Sequence, residues 1–262
     1  MKLIKTLKKI ISINFFLLFR RDNWFRKYLL NDLKVQKLIN GSLSGDTEDL
    51  LDNLFSLSNS RLKQAMFNKP FNDQKTRKEI VKEILESIQF DKIIETGTLF
   101  GNTTEFFQKF NIPVVSIEIS EFYFLVSKIR FIDKGNVNLI NSNSSDYFNK
   151  LIPSKEKIFF YLDAHSQEHI PLMNELSKCL EFKNSIILID DFKVPGNKNF
   201  GFDVYKGEEL SLKNYEILSS HDLYFPNYNP NKDNGSRGYV IVDVSGKNKN
   251  VFSNIDNLDK LN

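Results

Sequence analysis

Cysteine is almost absent from this sequence of 262 residues, and no charge sign is in large excess. The single cysteine, Cys179, excludes a disulfide framework within the chain and a zinc site built from several cysteines. It lies in a segment with helical apolar periodicity, so we expect it to be buried and unreactive. Lys and Arg number 36 against 33 Asp and Glu, a net charge of +3, so the charge balance predicts no nucleic-acid partner.

The apolar run at residues 10–19 is shorter than the about 20 residues that a membrane-spanning helix needs. It resembles the start of a signal peptide, but Arg20, Arg21 and Asp22 follow where a small-residue cleavage site is expected. Residues 1–30 therefore indicate either a basic amphipathic helix at the inner face of a membrane or a helix that packs on the domain or on a second copy of the chain. We expect a cytoplasmic protein.

A polar, glycine-bearing linker at residues 40–46 predicts a boundary between two parts of the chain. Residues 1–45 form a basic helical extension in this interpretation, and residues 46–262 form one domain. Helical patterns at residues 47–67 and at residues 77–88, the latter with Thr76 as its N-cap, precede the first strand. The domain then alternates helical segments with short, fully apolar runs, which is typical of parallel strands covered on both faces.

Seven predicted strands follow from these runs, at residues 93–96, 114–118, 137–140, 158–162, 185–189, 215–218 and 238–243. This order predicts an α/β, Rossmann-like, doubly wound and mostly parallel sheet. Residues 193–205 are rich in Gly, Pro and Asn without periodicity, so we expect a long loop over the strand ends. A second loop is predicted around residues 225–231.

The first strand leads into a turn that contains Gly97 and Gly101 and that follows Glu95. The spacing differs from the G-x-G-x-x-G of dinucleotide-binding enzymes, and no Lys follows as in a phosphate-binding P-loop. Glycine accepts positive φ and lets backbone approach a ligand. The second strand ends in Glu118, whose carboxylate can accept hydrogen bonds from ribose hydroxyls, so the unit predicts a nucleoside site. An ordinary strand-to-helix turn with glycine caps is the alternative.

Polar or acidic residues end all five of the first strands. Because ligands gather at the carboxyl ends of parallel strands, we expect these residues to converge. Crowded carboxylates repel one another unless a cation or hydrogen-bond donors satisfy them. Each acid taken alone could instead be a helix N-cap. The residues are Glu95, Glu118, the turn at residues 142–144, Asp163 with His165, and Asp190 with Asp191.

Asp163, Asp190 and Asp191 offer hard oxygen ligands that suit Mg²⁺ or a similar cation. Such an ion can hold two neighbouring hydroxyls and lower the pKa of one. His165 could then remove the proton as a general base, because imidazole titrates near neutral pH. The alternative is that His165 is a loop histidine without a role. His169 and His221 are weaker candidates for the general base.

From about residue 76 to residue 243 the chain resembles the class I S-adenosylmethionine (SAM)-dependent methyltransferases. Within that class, the Asp163 and Asp190-Asp191 motifs are similar to those of metal-dependent sugar O-methyltransferases of macrolide and aminocoumarin pathways. The resemblance implies that late paired strands add an antiparallel C-terminal edge to the sheet, and that the three aspartates hold Mg²⁺. Where this chain has His165, those enzymes typically have an aspartate as the base.

The resemblance also implies positions around SAM. The glycine turn would border the methionine part of SAM, Glu118 would bind the ribose, and the turn at residues 142–144 would meet the adenine. Asn143 stands where an acid is commoner. The implied cofactor residues are Glu95, Gly97, Gly101, Thr103, Glu118, Asn143, Ser144 and Asp163.

The leading hypothesis is therefore metal-assisted transfer of the SAM methyl group to a hydroxyl of a sugar or glycan-type small molecule. A SAM enzyme that uses no metal and methylates a nitrogen or carbon remains an alternative, with the aspartates as caps and hydrogen-bond acceptors. A non-catalytic SAM- or nucleoside-binding module is another. We expect the loops at residues 193–205 and 225–237 to shape the acceptor side.

Overall fold

The computed structural model describes residues 69–131, 134–166, 169–233 and 236–261. The predicted extension at residues 1–45, the contact predicted for residues 1–30 and the predicted helix at residues 47–67 lie outside the described residues. Within the described residues, no helix combines the length and apolar character needed to cross a membrane.

In the described part of the chain, eight strands form one sheet, and two further strands pair with each other. The spatial order of the sheet is β10-β8-β9-β5-β4-β1-β2-β3. Strands β1 to β5 run parallel, while β9 is antiparallel to both β5 and β8, and β10 is antiparallel to β8. The strands are β1 (Lys92–Thr96), β2 (Val114–Glu118), β3 (Val137–Asn141), β4 (Ile158–Leu162), β5 (Ile186–Asp190), β6 (Val204–Tyr205), β7 (Glu208–Glu209), β8 (Asp222–Pro226), β9 (Tyr239–Asp243) and β10 (Leu258–Lys260).

This arrangement confirms the predicted Rossmann-like, mostly parallel sheet with an antiparallel C-terminal edge. The sheet has eight strands rather than the seven predicted: β8 and β10 were not predicted, and the segment at residues 215–218 is not a strand. Every residue of β4 and β5 is buried, as expected for strands covered on both faces. Burial of side chains such as Phe159 and Leu188 contributes about 1.5–3 kcal/mol each.

Six α-helices accompany the sheet in the described part of the chain. Helix α1 buries Ile80, Val81, Ile84 and Leu85, the face that the helical spacing predicts. The helices are α1 (Lys75–Ser87), α2 (Asn102–Gln108), α3 (Glu121–Arg130), α4 (Ser144–Phe148), α5 (Leu172–Cys179) and α6 (Lys249–Phe252).

Helix α1 begins earlier than predicted, and Thr76 is not its N-cap. The cap position is Gln74, whose side chain makes no capping hydrogen bond. Instead, the carboxylate of Asp233 accepts hydrogen bonds from the backbone N–H groups of Lys75 at 2.5 Å and Thr76 at 2.8 Å. A loop distant in sequence therefore satisfies the helix N-terminus.

The strand predicted at residues 215–218 is wrong. The segment Glu216–Ser220 is a 3₁₀ turn, and the strand β8 begins after it. Tyr215 and Leu218 are both fully buried while Ile217 is 40% exposed. A three-residue interval between buried side chains fits a helical turn, since a strand would bury alternate residues.

Candidate functional site

The glycine turn packs directly against the end of β4. Gly97 has φ +81°, and a Cβ atom at this position would lie 2.4 Å from the carbonyl oxygen of Asp163. Gly101 has φ +75°, and a Cβ there would lie 2.5 Å from the ring of Phe131. Both glycines therefore adopt a left-handed backbone conformation. Each also lies so close to a neighbouring segment that a side chain would not fit.

A small cleft that is open to solvent lies against this turn. Its lining includes Tyr161 and Asp163 at the end of β4, and Phe71 and Asn72 from the 3₁₀ segment Pro70–Asp73. Of the predicted cofactor residues, Gly97, Thr103 and Asp163 line the cleft. Its full lining is Lys69, Phe71, Asn72, Gly97, Thr98, Leu99, Phe100, Asn102, Thr103, Tyr161 and Asp163.

Glu118 lies beside the glycine turn and is nearly buried. Its Oε2 accepts a hydrogen bond from the Leu99 N–H at 2.8 Å, and its Oε1 accepts one from the Ser120 N–H at 2.8 Å. Burial raises the pKa of Glu118, and these backbone donors oppose that rise. A carboxylate has about four lone-pair sites, so it can accept further hydrogen bonds from a ligand.

Glu95 lies beneath the glycine turn rather than on the cleft surface. It is 1% exposed, and its Oε2 accepts a hydrogen bond from Thr104 Oγ1 at 2.5 Å. Its Oε1 is buried without a hydrogen-bond partner among the described residues. Burial raises the pKa of Glu95 to about 7. The structure therefore places this acid under the predicted cofactor site, where it contacts α2.

Asn143 and Ser144 lie where α4 begins. The Asn143 Oδ1 accepts a hydrogen bond from the Ser145 N–H at 2.9 Å, so this residue is the N-cap of α4. His169 Nε2 also lies 3.2 Å from the same oxygen. The hydroxyl of Ser144 is buried and has no hydrogen-bond partner in the described part of the chain. Helix α4 thus begins at Ser144, directly after this cap.

Asp163, His165 and Asp191 come together at the ends of β4 and β5. One ligand atom from each lies within 4.8 Å of the others. Burial, with the neighbouring Asp190 and Asp191 carboxylates, raises the pKa of Asp163 well above its ordinary value. Burial acts against ionisation of Asp191 too, but contacts with His165 and Arg237 outweigh it and lower its pKa to about 2. Such crowding of acids favours the binding of a cation.

Asp190, the third acid of the predicted metal site, does not join this cluster. Its Oδ1 accepts hydrogen bonds from Arg77 Nη1 at 2.6 Å and from the Asp191 N–H at 2.7 Å. Its Oδ2 accepts one from the Tyr161 hydroxyl at 2.6 Å. Both oxygens are therefore engaged within the protein, and a buried guanidinium balances the negative charge.

The two late loops meet the acid cluster through Arg237. Its Nε donates to Asp191 Oδ1 at 2.5 Å, and its Nη2 donates to Asp203. Tyr205, in the β6–β7 hairpin, also donates its hydroxyl to Asp203, and its ring lies 5.6 Å from the His165 ring. The loops expected to shape the acceptor side therefore converge on the end of β5.

Arg77 and Glu175 were not predicted from the sequence, although each is a charged residue at an apolar position of a helical pattern. Arg77 is buried on the stripe that continues with Ile80, Val81 and Ile84, and Glu175 is buried between Leu172 and Cys179 on α5. Burial raises the pKa of Glu175 to about 7. A charged residue at a core position of a helix is the signal that could have found both.

No protein-family model matches the sequence, and no curated protein matches it. Solved structures are similar in fold. Cofactor-bound Rv0187 from MTB has a TM-score of 0.52 and 16% identity over 82% of this chain and 98% of that chain. A candidate O-methyltransferase from Klebsiella pneumoniae has a TM-score of 0.51 and 13% identity over 83% and 97%. At such identities the likeness concerns the fold alone, which is a Rossmann-like, mostly parallel α/β sheet.

Proposed function

We propose that the protein is a SAM-dependent methyltransferase. The observation that carries the proposal is the contact between the glycine turn and the acid that ends β2, in which the Leu99 N–H donates to Glu118 Oε2 at 2.8 Å. In a βαβ unit this pairing sets a ribose-binding carboxylate next to a close backbone approach. The similar fold of the candidate O-methyltransferase from Klebsiella pneumoniae supports the same class of reaction.

The residues around the cleft fit the parts of SAM. Gly97 leaves backbone accessible at the cleft, and the carboxylate of Asp163 suits the ammonium of the methionine moiety. Glu118 retains lone pairs for the ribose hydroxyls. Asn143 and Ser144, at the start of α4, would meet the adenine. The turn and β4 would hold the sulfonium, and positioning of the methyl group against the acceptor would supply much of the rate.

The acceptor that we propose is a hydroxyl of a sugar or another polyol with neighbouring oxygens. Asp163 and Asp191, with His165 beside them, would hold a divalent cation, whose charge would lower the pKa of one of two adjacent acceptor hydroxyls. Tyr205 and Arg237 border the same cluster, so they would contact the acceptor or hold the loops that do. His165 could serve this site either as the base or as a ligand.

Calorimetric titration with SAM and with its demethylated product tests the proposal. We expect saturable binding of one cofactor per chain, and at least about tenfold weaker binding for Glu118→Ala because the ribose loses a charged acceptor. Glu79→Ala, an exposed substitution on α1, is the matched control and should bind as the unchanged protein does. Failure of the unchanged protein to bind either compound would refute the proposal.

A SAM enzyme that uses no metal is the second candidate, and the arginine contacts favour it. Arg77 pairs with Asp190 and Arg237 pairs with Asp191, so two of the three predicted ligands already have cationic partners. Methyl transfer to candidate glycans and amines, with and without EDTA, separates the two. Undiminished turnover in EDTA would select the metal-independent enzyme, and loss that added divalent metal restores would select the cation-assisted one.

A further inference from the structure

The imidazole of His165 is buried next to two carboxylates but has no hydrogen bond at Nε2. The side chain is 2% exposed, and Nε2 finds no partner among the described residues. Asp163 Oδ1 and Asp191 Oδ2 both lie 3.8 Å from it, which is too far for a hydrogen bond. A buried nitrogen in this state is unfavourable unless another group fills the space between the three atoms.

Each of the two carboxylates has a polar neighbour at its other oxygen. Asp191 Oδ1 accepts from Arg237 Nε at 2.5 Å, and Asp163 Oδ2 lies 3.3 Å from the Tyr161 hydroxyl, whose one proton is donated to Asp190 Oδ2. The oxygens that face His165 therefore remain available. Outer hydrogen bonds that orient a ligand carboxylate are a regular feature of protein metal sites.

We infer that the cation site is formed by Asp163 Oδ1, His165 Nε2 and Asp191 Oδ2, and that it selects a first-row transition-metal dication over Mg²⁺. This inference rests on the proposed function, because it concerns the same cation-assisted site. Two ligand atoms on one ion with bonds of about 2.1 Å are at most about 4.2 Å apart, so the 3.8 Å separations of His165 Nε2 from Asp163 Oδ1 and from Asp191 Oδ2 admit a common ion. The three ligand atoms of the cluster lie within 4.8 Å of one another.

The choice of metal follows from the donors. Imidazole nitrogen suits Fe²⁺, Ni²⁺, Cu²⁺ and Zn²⁺, whereas Mg²⁺ takes oxygen ligands. The affinity of a mixed nitrogen and oxygen site rises from Mn²⁺ through Fe²⁺ to Co²⁺. With Asp190 as the third ligand, the three aspartates would form a set of oxygen ligands. Its salt bridge with Arg77 instead holds Asp190 outside the cluster. The same assignment removes His165 from the role of general base that the sequence suggests.

Pulsed electron paramagnetic resonance of Mn²⁺ added to the full-length protein tests the ligand set directly. We expect nitrogen-14 couplings from a bound imidazole in the unchanged protein and in His221→Gln, which removes a histidine elsewhere. The couplings should vanish in His165→Gln, with at least about tenfold weaker Mn²⁺ binding. Calorimetry should show Co²⁺ binding at least about tenfold tighter than Mg²⁺. If His165→Gln fails to fold, the nitrogen-14 couplings of the unchanged protein alone decide whether an imidazole binds the Mn²⁺ ion.

The outcomes separate this inference from the proposed function. Bound Mn²⁺ without nitrogen coupling, or Mg²⁺ binding as tightly as Co²⁺, would overturn the inference while a cation-assisted methyltransferase stands. Intact SAM binding with no binding of any of these ions would overturn both the inference and the cation's part in the reaction. Nitrogen-coupled Mn²⁺ in a protein that does not bind SAM would support the ligand set and refute the methyltransferase.

Discussion

Arg77 Nη1 lies 2.6 Å from Asp190 Oδ1, and both side chains are buried. The guanidinium also lies over the rings of Phe71, Tyr161 and Tyr239, at 5.3, 5.8 and 4.7 Å from their centroids. The Tyr161 hydroxyl donates to the second oxygen of Asp190. This network joins α1 to β4, β5 and β9 beneath the cleft, and it separates Asp190 from the neighbouring cluster.

Breaking this ion pair should destabilise the fold strongly. Arg77→Met leaves a buried carboxylate without its cation, so we expect the free energy of unfolding to fall by about 3 kcal/mol. The double variant Arg77→Met with Asp190→Leu should lose much less unfolding free energy than the sum of the losses of the two single variants. The measurement is urea denaturation. Lys178→Met, which breaks an exposed pair with Glu181, should cost less than about 1 kcal/mol. A similar small loss for Arg77→Met would contradict this account.

Gly97→Ala should damage the cofactor site and the fold together. The new methyl group would collide with the carbonyl of Asp163 and would also occupy a left-handed conformation. We expect a loss of about 2–4 kcal/mol in unfolding free energy and at least about tenfold weaker SAM binding.

Gly196→Ala isolates the conformational part of that effect. Gly196 has φ +71°, but a Cβ there meets no described atom within 4 Å. We expect this control to cost about 1 kcal/mol and to leave SAM binding unchanged. Equal effects of the two substitutions would mean that the close approach to β4 is unimportant.

Stability should fall with rising pH because of Glu95. Burial raises its folded-state pKa to about 7 from an ordinary 4.5. Between these pH values the folded protein keeps a proton on Glu95 that the unfolded chain releases. This proton uptake stabilises the folded protein fully below pH 4.5, and the stabilisation is lost as pH rises through 7. It amounts to about 3 kcal/mol at most.

Unfolding measurements from pH 4.5 to pH 8 check this slope. Glu95→Gln cannot ionise, so its stability should depend less on pH than that of the unchanged protein. Part of the slope should persist, because burial also raises the pKa of Glu175 to about 7. Glu79→Gln, an exposed control, should keep the full slope. Parallel curves for Glu95→Gln and the unchanged protein would refute the assignment.

Asp233→Ala should destabilise α1 from a distance. The variant leaves the N–H groups of Lys75 and Thr76 without their acceptor and removes a negative charge from a helix N-terminus. We expect a loss of about 1–2 kcal/mol in thermal or urea unfolding, against about 0.3 kcal/mol or less for the exposed control Asp256→Ala. No difference between the two variants would exclude the capping role.

Local sequence patterns predicted those parts of the fold that local physics determines. The apolar runs of β4 and β5 indicated buried strands, and the spacing of Gly97 and Gly101 indicated a left-handed turn before a helix. The residues that end β1, β2, β4 and β5 followed from the strand assignments, because parallel strands bring their carboxyl ends to one edge.

Contacts between distant segments were beyond those patterns. Asp190 and Asp191 are adjacent in sequence, yet a buried arginine holds the first and a loop arginine the second. The capping of α1 by Asp233 depends on a chain separation of 157 residues. Such long-range ion pairs and hydrogen bonds can be identified only from the folded structure, because no periodicity links the partners in the sequence.

The structure of crystals grown with the demethylated cofactor tests the central claim most directly. We expect the ribose hydroxyls on the carboxylate of Glu118 and the homocysteine moiety in the cleft against Gly97. The sulfur should face the end of β4, near Asp163 and His165. A compound bound away from Glu118, or a cleft that stays empty at saturating concentration, would contradict the assignment of this protein as a SAM-dependent methyltransferase.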